Sequence, residues 1–356
     1  MGKQSCVASG GQVLSTAAGT PCNGTSPPID PWIPAKVPGT VLQALVEVGQ
    51  LPDPYVGLQS QYVKDVGEAG VGEYTYWFCT KFRVGEQEAY GWKERALTWL
   101  QLEGVNYSLE VYANGLQLEV GDYDRGTYLR RIIQLPLFIK IGTWCYLAIL
   151  IRPPDNCGRI PAGGGQGGDH ALGKDVAPQF LEGWDWTIAM ADRSTGMWGS
   201  ISLRNTGPIR LSDAHARCEF PVGASVSPDR ATVSKAAVTF GVSVENGTPF
   251  PLVATLALEV SHTDEADDTV VDLVAEMPLS LPRGRADVCF PPQAMQCAKL
   301  WWPLNMGAQH LYRAKFTVRV SDAPSTTVRN PLLCTRASRC SLRDYSSSQV
   351  VRCLPA

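Results

Sequence analysis

The chain has 356 residues, 44% of them hydrophobic, which is enough to bury a core and to form more than one domain. Its net charge of −3 supplies no basic surface for phosphates, so nucleic acid is excluded as the main partner. The longest clearly apolar run, Cys145 to Ile151, is too short to cross a bilayer, and no secretory signal opens the sequence. We therefore expect no membrane partner and predict a cytoplasmic or vacuolar location.

The cysteines and histidines do not form a metal-binding or redox pattern. The eleven cysteines are scattered, odd in number and free of any C-x-x-C pair, which argues against zinc knuckles and redox dithiols. The four histidines are equally dispersed. We therefore expect no metal and no cofactor, and we expect most cysteines to be small buried fillers in a reducing compartment.

In the first half of the chain, apolar residues alternate with a period of two. The segment 105–120 alternates on both sides of Asn114-Gly115, a pair that supplies the positive φ angles of a tight turn, and this predicts a β-hairpin. The other predicted elements are strands over 73–84 and 143–153, the second buried on both faces, and a short helix over 39–51.

In the second half, three runs alternate cleanly, over 237–246, 251–262 and 312–322, with turns between them. About a hundred residues of such short strands are typical of an immunoglobulin-like sandwich. The residues after 321 keep no period and are rich in serine, arginine and cysteine, which favours disorder. The predicted domains are an irregular segment at 1–30, a larger β-sandwich at 31–207, an immunoglobulin-like sandwich at 208–321 and a disordered tail at 322–356.

Two kinds of short motif have ordinary explanations. Gly163-x-Gly165-x-x-Gly168 fits a dinucleotide fingerprint as text, but Pro153 and Pro154 interrupt the strand that should lead into it and no long helical pattern follows. The glycines more readily serve a tight bend or a close approach of the backbone. Three N-x-S/T sequons are interpreted as coincidence; they start at Asn23, Asn106 and Asn246.

The triplet Trp184-Asp185-Trp186 has two interpretations. In the first, which a lone triplet favours, the indoles are core residues and Asp185 caps a turn. In the second, the indole faces pack on a sugar ring while the carboxylate accepts hydrogen bonds from neighbouring hydroxyls. Both interpretations remain open on the residues alone.

Carboxylates surround the triplet. Glycoside hydrolysis needs two of them at a fixed separation, about 5 to 9.5 Å depending on the stereochemical course. The sequence cannot place any two across a sugar, so loop capping and ion pairing with Lys174 or Arg193 are favoured for most. The nearby carboxylates are Asp169, Asp175, Glu182, Asp185 and Asp192.

Five segments in this order resemble the N-terminal half of glycoside hydrolase family 2, in particular its enzymes that cleave β-mannosides and β-glucosaminides. The resemblance runs from about residue 31 to residue 321, and five long motifs in order are far more specific than one triplet. The segments are VPGTVLQALVEVGQLPDPYVG, NYSLEVYANG, RIPAGGGQGGDHALGKDVAPQFLEGWDW, DRSTGMWGSISL and LWWPLNMGAQHLYRAKFTV.

The resemblance implies an all-β chain, with a jelly-roll (galactose-binding-like) sandwich followed by an immunoglobulin-like sandwich. In the family, a (β/α)₈ barrel carrying two catalytic glutamates comes next. The resemblance further implies that Trp184, Asp185 and Trp186 line the terminal sugar subsite, on a loop that reaches over the barrel mouth. By the same resemblance, three residues organise that loop: Asp169, His170 and Arg193.

The sequence also departs from the family. Ser194 stands where asparagine is usual, and Gly199 where an acidic residue often follows Trp198. A barrel takes about 250 residues, and only 35 follow Ser321. We therefore expect the catalytic barrel to be absent and no catalytic residue can be named. The family consists of glycosidases, but this chain alone is predicted to be inactive.

Three hypotheses for function follow. The first is the non-catalytic N-terminal portion of a family 2 glycoside hydrolase acting on β-mannosides, whose partners are a β-linked mannoside or glycan and the missing barrel. The second is a stand-alone carbohydrate-binding module, with weak affinity because half a pocket buries little of a ligand. The third is a structural protein that docks on a separately encoded barrel through an exposed apolar face.

Overall fold

A computed structural model describes residues 1–7, 9–22, 32–85, 96–121, 124–160, 168–183, 187–263 and 269–320, together with the backbone of two short strands at 332–336 and 350–351. The chain divides into two compact units, Met1–Asn205 and Thr206–Ala356. Antiparallel strands dominate both units, so the all-β prediction is confirmed.

The first unit is a sandwich of two antiparallel sheets. One sheet has the order β1-β3-β8-β5-β6 and the other has the order β10-β4-β7, while β2 and β9 form a separate pair. The strands are β1 (Gly2–Lys3), β2 (Gly39–Thr40), β3 (Tyr76–Arg83), β4 (Leu97–Leu102), β5 (Ser108–Ala113), β6 (Leu116–Leu118), β7 (Arg131–Gln134), β8 (Trp144–Arg152), β9 (Gly196–Met197) and β10 (Ile201–Thr206).

The helices of the first unit are all short. The α-helices are α1 (Gly11–Leu14), α2 (Val41–Glu47) and α3 (Val66–Ala69), and the 3₁₀ helices span Gln4–Cys6, Gln59–Tyr62, Val71–Tyr74, Ala171–Lys174 and Gln179–Glu182. Within the described ranges of the whole chain, no helix is long and apolar enough to cross a membrane.

The predicted hairpin is present. Strands β5 and β6 pair with Ala113 opposite Leu116, and the turn residues Asn114 and Gly115 have φ angles of 46° and 85°. These values suit the tight turn that joins two twisted strands, because both central residues need positive φ. The alternation in β5 buries Leu109, Val111 and Ala113 in the core between the two sheets.

Strand β8 is buried on both faces, as its continuous apolar sequence predicts. One face supplies Cys145, Leu147, Ile149 and Ile151 to the core between the sheets. The opposite face packs in a second cluster that contains Leu14, Trp77, Tyr112, Ala148 and Leu150.

The segment before residue 31, predicted to be irregular, contributes ordered elements where it is described. Strand β1 pairs with β3, and helix α1 supplies Leu14 to the outer cluster. A methyl group on Gly11 would lie 2.3 Å from the ring of Tyr112, so the helix rests directly on the sheet. This cover explains how the five-stranded sheet can be apolar on both faces.

The predicted short helix over 39–51 is confirmed, although it is shorter. Thr40 caps it by accepting the Gln43 N–H at 3.1 Å, and the helix ends at Glu47. Gly49 follows with a φ of 74°, a left-handed conformation that ends a helix and favours glycine. Val41 and Leu45 face the core.

The second unit also consists of two antiparallel sheets. One has the order β11-β12-β15, with β16 also pairing β12, and the other has the order β14-β13-β17-β18, with β19 also pairing β17. The strands are β11 (Ile209–Glu219), β12 (Thr232–Asn246), β13 (Leu252–Thr263), β14 (Thr269–Leu281), β15 (Gly284–Cys289), β16 (Gln293–Lys299), β17 (Tyr312–Val320), β18 (Leu332–Arg336) and β19 (Val350–Val351).

The three alternating runs of the second half form β12, β13 and β17. Every second residue is buried, and the ring centroids of Phe290 and Phe316 lie 6.4 Å apart in this core. The tail predicted to be disordered lies outside the described residues except for β18 and β19, whose backbones pair with β17. The buried members of the runs include Val238, Phe240, Val242, Val244, Leu256, Leu258, Phe316 and Val318.

The expectation that most cysteines are buried is wrong for the described part of the chain. There, Cys145 and Cys157 are buried, whereas Cys6, Cys289 and Cys297 are exposed and three others are half-buried. Cys289 lies on the solvent side of β15, and Cys6 ends a 3₁₀ helix. Cys297 has a φ of 50° and lies in β16 between the buried residues Met295 and Ala298. The exposure of these thiols therefore follows from their local backbone positions and not from the usual burial of cysteine.

Candidate functional site

The Trp184-Asp185-Trp186 triplet lies outside the described residues, but both ends of its loop are described. The Met190 N–H donates to the Leu181 carbonyl at 2.9 Å, which closes the base of the loop around the triplet. Gly183, just before the triplet, has a φ of 95°, a conformation that favours glycine. We call residues 181–190 the triplet loop.

Glu182 fixes the N-terminal end of the triplet loop. Its side chain is buried, and its two carboxylate oxygens accept the backbone N–H groups of His170 and Leu172 at 2.9 and 2.8 Å. A methyl group on Gly158 or Gly168 would lie 1.8 or 2.6 Å from this carboxylate. The last glycine of the glycine-rich run is therefore needed to let the backbone approach Glu182.

Asp169 and His170 occupy the turn that Glu182 holds. The exposed Asp169 carboxylate accepts the Ala171 N–H at 3.0 Å, and this bond lowers the pKa of that carboxyl group. His170 has a φ of 58°, and its backbone N–H is the group bonded to Glu182 while its side chain is exposed. The structure thus brings two of the predicted loop-organising residues to one turn.

Arg193 fixes the C-terminal end of the triplet loop. Its fully buried guanidinium forms a bidentate pair with Asp65, with N–O distances of 2.7 and 3.2 Å. It also donates to the carbonyl oxygens of Met190 and Cys157, each at 2.7 Å. These bonds tie the loop to α3 and to the segment around Cys157. The sequence favoured an ion pair between Arg193 and a carboxylate close to it in the sequence, whereas its partner in the structure is the distant Asp65.

Asp192 connects the same segment to helix α2. Its carboxylate accepts the N–H groups of Leu42 and Ser194 at 3.2 and 2.8 Å. Burial raises the pKa of Asp192 to about 6, against the opposite influence of these N–H groups and of Arg193. The loop base therefore contains a buried carboxyl group that titrates in a mildly acidic range.

Asn106 is a buried part of this assembly that the sequence analysis did not identify. Its amide nitrogen donates to the carbonyl oxygens of Arg193 and Ser194 at 2.5 and 3.1 Å, and its amide oxygen accepts the Thr127 hydroxyl at 2.6 Å. Because it is only 1% exposed, Asn106 has no free amide for a glycan in the folded chain. In the sequence Asn106 stood out only as the start of an N-x-S sequon, which indicates glycosylation and not a buried structural amide.

The described carboxylates near the triplet serve loop geometry. Asp175 accepts both the backbone N–H and the side-chain amide of Asn156, at 2.7 and 2.9 Å. Together with Glu182 and Asp192, it bonds backbone groups of its own unit, as the sequence favoured. Within the described residues, no group of three or more histidine, cysteine, aspartate or glutamate side chains could hold a metal ion.

A separate cavity of about 910 Å³ opens in the first unit. Most of its lining is apolar, and none of the lining residues belongs to the triplet loop or to the segment 168–193. Because a sugar needs several fixed polar partners, this cavity is poorly suited to one. Its lining includes Trp32, Phe78, Phe82, Leu100 and Met197.

Residues 15–128 match the family model described as the glycosyl hydrolase 2 galactose-binding domain-like domain. The chain is 35% identical over 301 residues to a mannosylglycoprotein endo-β-mannosidase of Lilium longiflorum, a match that covers 84% of this chain and 29% of that protein. It is 26% identical over 302 residues to an exo-β-D-glucosaminidase of Streptomyces avermitilis, covering 85% of this chain and 28% of that protein.

Solved structures share the fold. A β-D-mannosidase from Dictyoglomus thermophilum superposes with a TM-score of 0.56 at 24% identity, over 82% of this chain and 32% of that one. An exo-chitosanase of Amycolatopsis orientalis gives a TM-score of 0.56 at 19% identity, over 96% of this chain and 33% of that one. The likeness extends across both units, and the chain spans about a third of the length of these relatives.

The β-sandwich of the first unit and the family match define a galactose-binding-like domain. Residues 15–128 carry the galactose-binding-like domain of glycoside hydrolase family 2, and the chain as a whole matches the N-terminal part of enzymes of that family. The resemblance drawn from the five sequence segments is thereby confirmed. Within the residues that the structure describes, both units are β-sandwiches and neither contains a (β/α)₈ barrel.

Proposed function

We propose that this chain supplies one wall of a terminal sugar subsite in a family 2 glycoside hydrolase that acts on β-mannosides. In this proposal, Trp184 and Trp186 pack on the apolar face of the sugar and Asp185 accepts hydrogen bonds from its hydroxyl groups. A barrel domain supplies the catalytic carboxylates. The names of two relatives, an endo-β-mannosidase and a β-D-mannosidase, support the choice of a mannoside.

The observation that carries the proposal is the anchoring of the triplet loop at both ends. Glu182 binds two backbone N–H groups on one side, and Arg193 binds Asp65 and backbone carbonyls on the other. Both side chains are buried. A binding residue must be held close to its productive position, and such a supporting framework limits the entropy lost when a ligand binds.

The energetic cost of burying charged groups also supports the proposal that the triplet loop is held in place for binding. An arginine and three carboxyl groups leave water at this loop base, and burying charges is costly unless each is paired or hydrogen-bonded. Asp169 and His170 join Arg193 in this framework through their turn against Glu182, and we propose that all three organise the sugar-binding loop.

A chimeric enzyme tests the proposal. Residues 1–320 of this chain would replace the matched segment of the Lilium longiflorum relative, and hydrolysis of a p-nitrophenyl β-mannoside would be measured. We expect Trp184→Ala and Asp185→Asn each to lower kcat/KM by at least about tenfold, which corresponds to about 1.4 kcal/mol of lost transition-state binding. The control is Trp198→Phe, since Trp198 is a half-exposed indole outside the triplet loop.

If kcat/KM is unchanged in both Trp184→Ala and Asp185→Asn, the triplet does not line the sugar subsite and the proposal is wrong. The native chain offers a complementary measurement, because alone it should bind mannose weakly and leave the β-mannoside intact. Strong binding by the isolated chain would favour the carbohydrate-binding module instead. Association with a separately produced barrel, with no dependence on the triplet, would favour the docking protein.

A further inference from the structure

A second site candidate lies in the other unit, on the exposed face of the β11-β12-β15 sheet. His215, Gly241 and Cys289 are direct neighbours across the three strands, since His215 pairs with Gly241 and Gly241 pairs with Cys289. Both His215 and Cys289 are exposed. Because Gly241 has no side chain, the space over the central strand is available to the side chains of its two neighbours.

The imidazole fills that space. A methyl group on Gly241 would lie 2.4 Å from Nε2 of His215 and 3.1 Å from Sγ of Cys289. The ring nitrogen and the sulfur therefore both lie over the same glycine. Any side chain at position 241 would have to displace the imidazole.

A β-bulge directs the histidine toward this position. The register of β11 and β12 shifts between Ser212 and His215, and Asp213 within the bulge has a φ of 50°. Bulges re-aim side chains and often lie next to functional groups. Here the bulge brings the carbonyl oxygen of Asp213 within 3.0 Å of Nδ1 of His215.

This contact determines the tautomer of neutral His215. A carbonyl oxygen only accepts hydrogen bonds, so Nδ1 must carry the proton that it donates to Asp213. Nε2 then carries the lone pair, and it lies over Gly241 as Sγ of Cys289 does. A histidine oriented in this way beside a thiol is the arrangement that activates cysteine nucleophiles.

Charged groups surround the pair on the same face. From β15, Arg285 donates to Asp213 and Ser243 at 2.9 and 2.8 Å, and Asp287 accepts from the Ser243 hydroxyl. From β11, Arg217 forms an ion pair with Glu219. The bond from Ser243 lowers the pKa of Asp287, and the positive charge of Arg285 acts in the same direction.

We propose that Cys289 and His215 form a thiol modification site that reacts with low-molecular-weight disulfides. The thiol proton moves to Nε2 of His215, and the Cys289 thiolate attacks one sulfur of the disulfide. The S–S bond breaks, a mixed disulfide forms on Cys289, and the leaving thiolate takes the proton from the imidazolium. No other oxidant is required, because the attacking thiol is oxidised and the leaving half of the disulfide is reduced.

Limited alkylation of the full reduced chain tests this site. The rate with iodoacetamide would be measured for each cysteine by peptide mass spectrometry between pH 6 and 9. Cys6 and Cys297 serve as internal controls, because both are exposed. Because Nε2 of His215 would take up the thiol proton during the attack, we expect Cys289 to react about tenfold faster than the controls at pH 7.

Two variants separate the role of the base from that of the surrounding charge. His215→Asn keeps a donor toward the Asp213 carbonyl and removes Nε2, so Cys289 should fall to the rate of the controls. Arg285→Gln should leave most of the enhancement. Gly241→Ala displaces the imidazole and should lower the rate of Cys289 in the same way. It provides the test if His215→Asn folds poorly.

Oxidised glutathione provides the direct readout of the proposed product. The glutathionyl mass should appear on Cys289 before it appears on Cys6 or Cys297. The proposal is overturned if Cys289 reacts no faster than Cys297, or if His215→Asn leaves its rate unchanged. It is also overturned if Arg285→Gln, and not His215→Asn, abolishes the enhancement, since charge alone would then account for it.

Discussion

Arg193 and Asp65 form a bidentate ion pair between segments 128 positions apart, with N–O distances of 2.7 and 3.2 Å. The guanidinium is completely buried and the carboxylate is 13% exposed. The pair joins the triplet loop to the start of helix α3, so the position of the loop depends on a residue far from it in the sequence.

Removing the guanidinium should destabilise the first unit strongly. Arg193→Met leaves the Asp65 carboxylate without its partner in a mostly buried position, and we expect the free energy of unfolding to fall by about 3 to 5 kcal/mol. Urea denaturation followed by tryptophan fluorescence measures this loss. In the double variant with Asp65→Asn, much of the loss should be recovered; two additive losses would mean that the pair contributes no coupling energy.

Glu182 should tolerate even a change of one atom poorly. In Glu182→Gln, the amide nitrogen replaces an oxygen that accepts the N–H of His170 or Leu172, so one buried donor faces another. We expect a loss of about 1 to 3 kcal/mol and faster hydrogen exchange at the affected amides. Asp169→Asn is the matched control, since this exposed carboxylate should give a much smaller change; equal losses would argue against the buried anchor.

The contribution of Asp192 to the stability of the first unit should fall as the pH rises from about 4 to about 6. Asp192 has its pKa raised by burial from 3.8 to about 6, so the folded state holds the proton more tightly than the unfolded state. The stabilising contribution is complete below pH 3.8 and is lost as the pH passes through about 6. A shift of this size corresponds to a contribution on the order of 3 kcal/mol.

Asp192→Asn isolates this effect because asparagine cannot ionise. The difference in unfolding free energy between the native chain and the variant should change in favour of the variant over the same pH range. Chemical denaturation at several pH values gives both curves. Parallel curves would show that Asp192 keeps an ordinary pKa in the folded chain.

Gly199 should be required by packing. A methyl group at this position would lie 2.4 Å from the backbone nitrogen of Gly104 and 2.8 Å from the carbonyl carbon of Glu103, and backbone atoms cannot move aside as a flexible side chain can. We expect Gly199→Ala, and Gly199→Asp still more, to cost about 1 to 3 kcal/mol. Gly72→Ala is the control, since a methyl group there meets nothing within 4 Å; equal melting temperatures for both alanine variants would contradict this account.

The hydrophobic patterns predicted much of the fold because they report which face of each strand is buried. Val238, Phe240 and Val242 alternate in the sequence and are all buried in β12. Asn114-Gly115 identified its hairpin since few other pairs adopt two positive φ angles easily. These features depend on residues close together in the chain.

The supporting residues of the candidate site depend on distant contacts, and the sequence did not reveal them. Asp65 carries no motif that relates it to Arg193, and the buried amide of Asn106 appeared in the sequence only as a sequon. His215 and Cys289 meet through strand register over Gly241, which hydrophobic alternation does not determine. Trp184, Asp185 and Trp186 remain predictions, since they lie outside the described residues.

The most direct measurement of the central claim uses the chimeric enzyme labelled with 5-fluorotryptophan. Single Trp→Phe variants would assign the ¹⁹F resonances of positions 184, 186 and 198, and mannose would be added to saturation. The account predicts that the resonances of Trp184 and Trp186 shift along one saturation curve while that of Trp198 stays in place. If mannose inhibits turnover and neither triplet resonance moves, the indoles do not face the sugar and the account is contradicted.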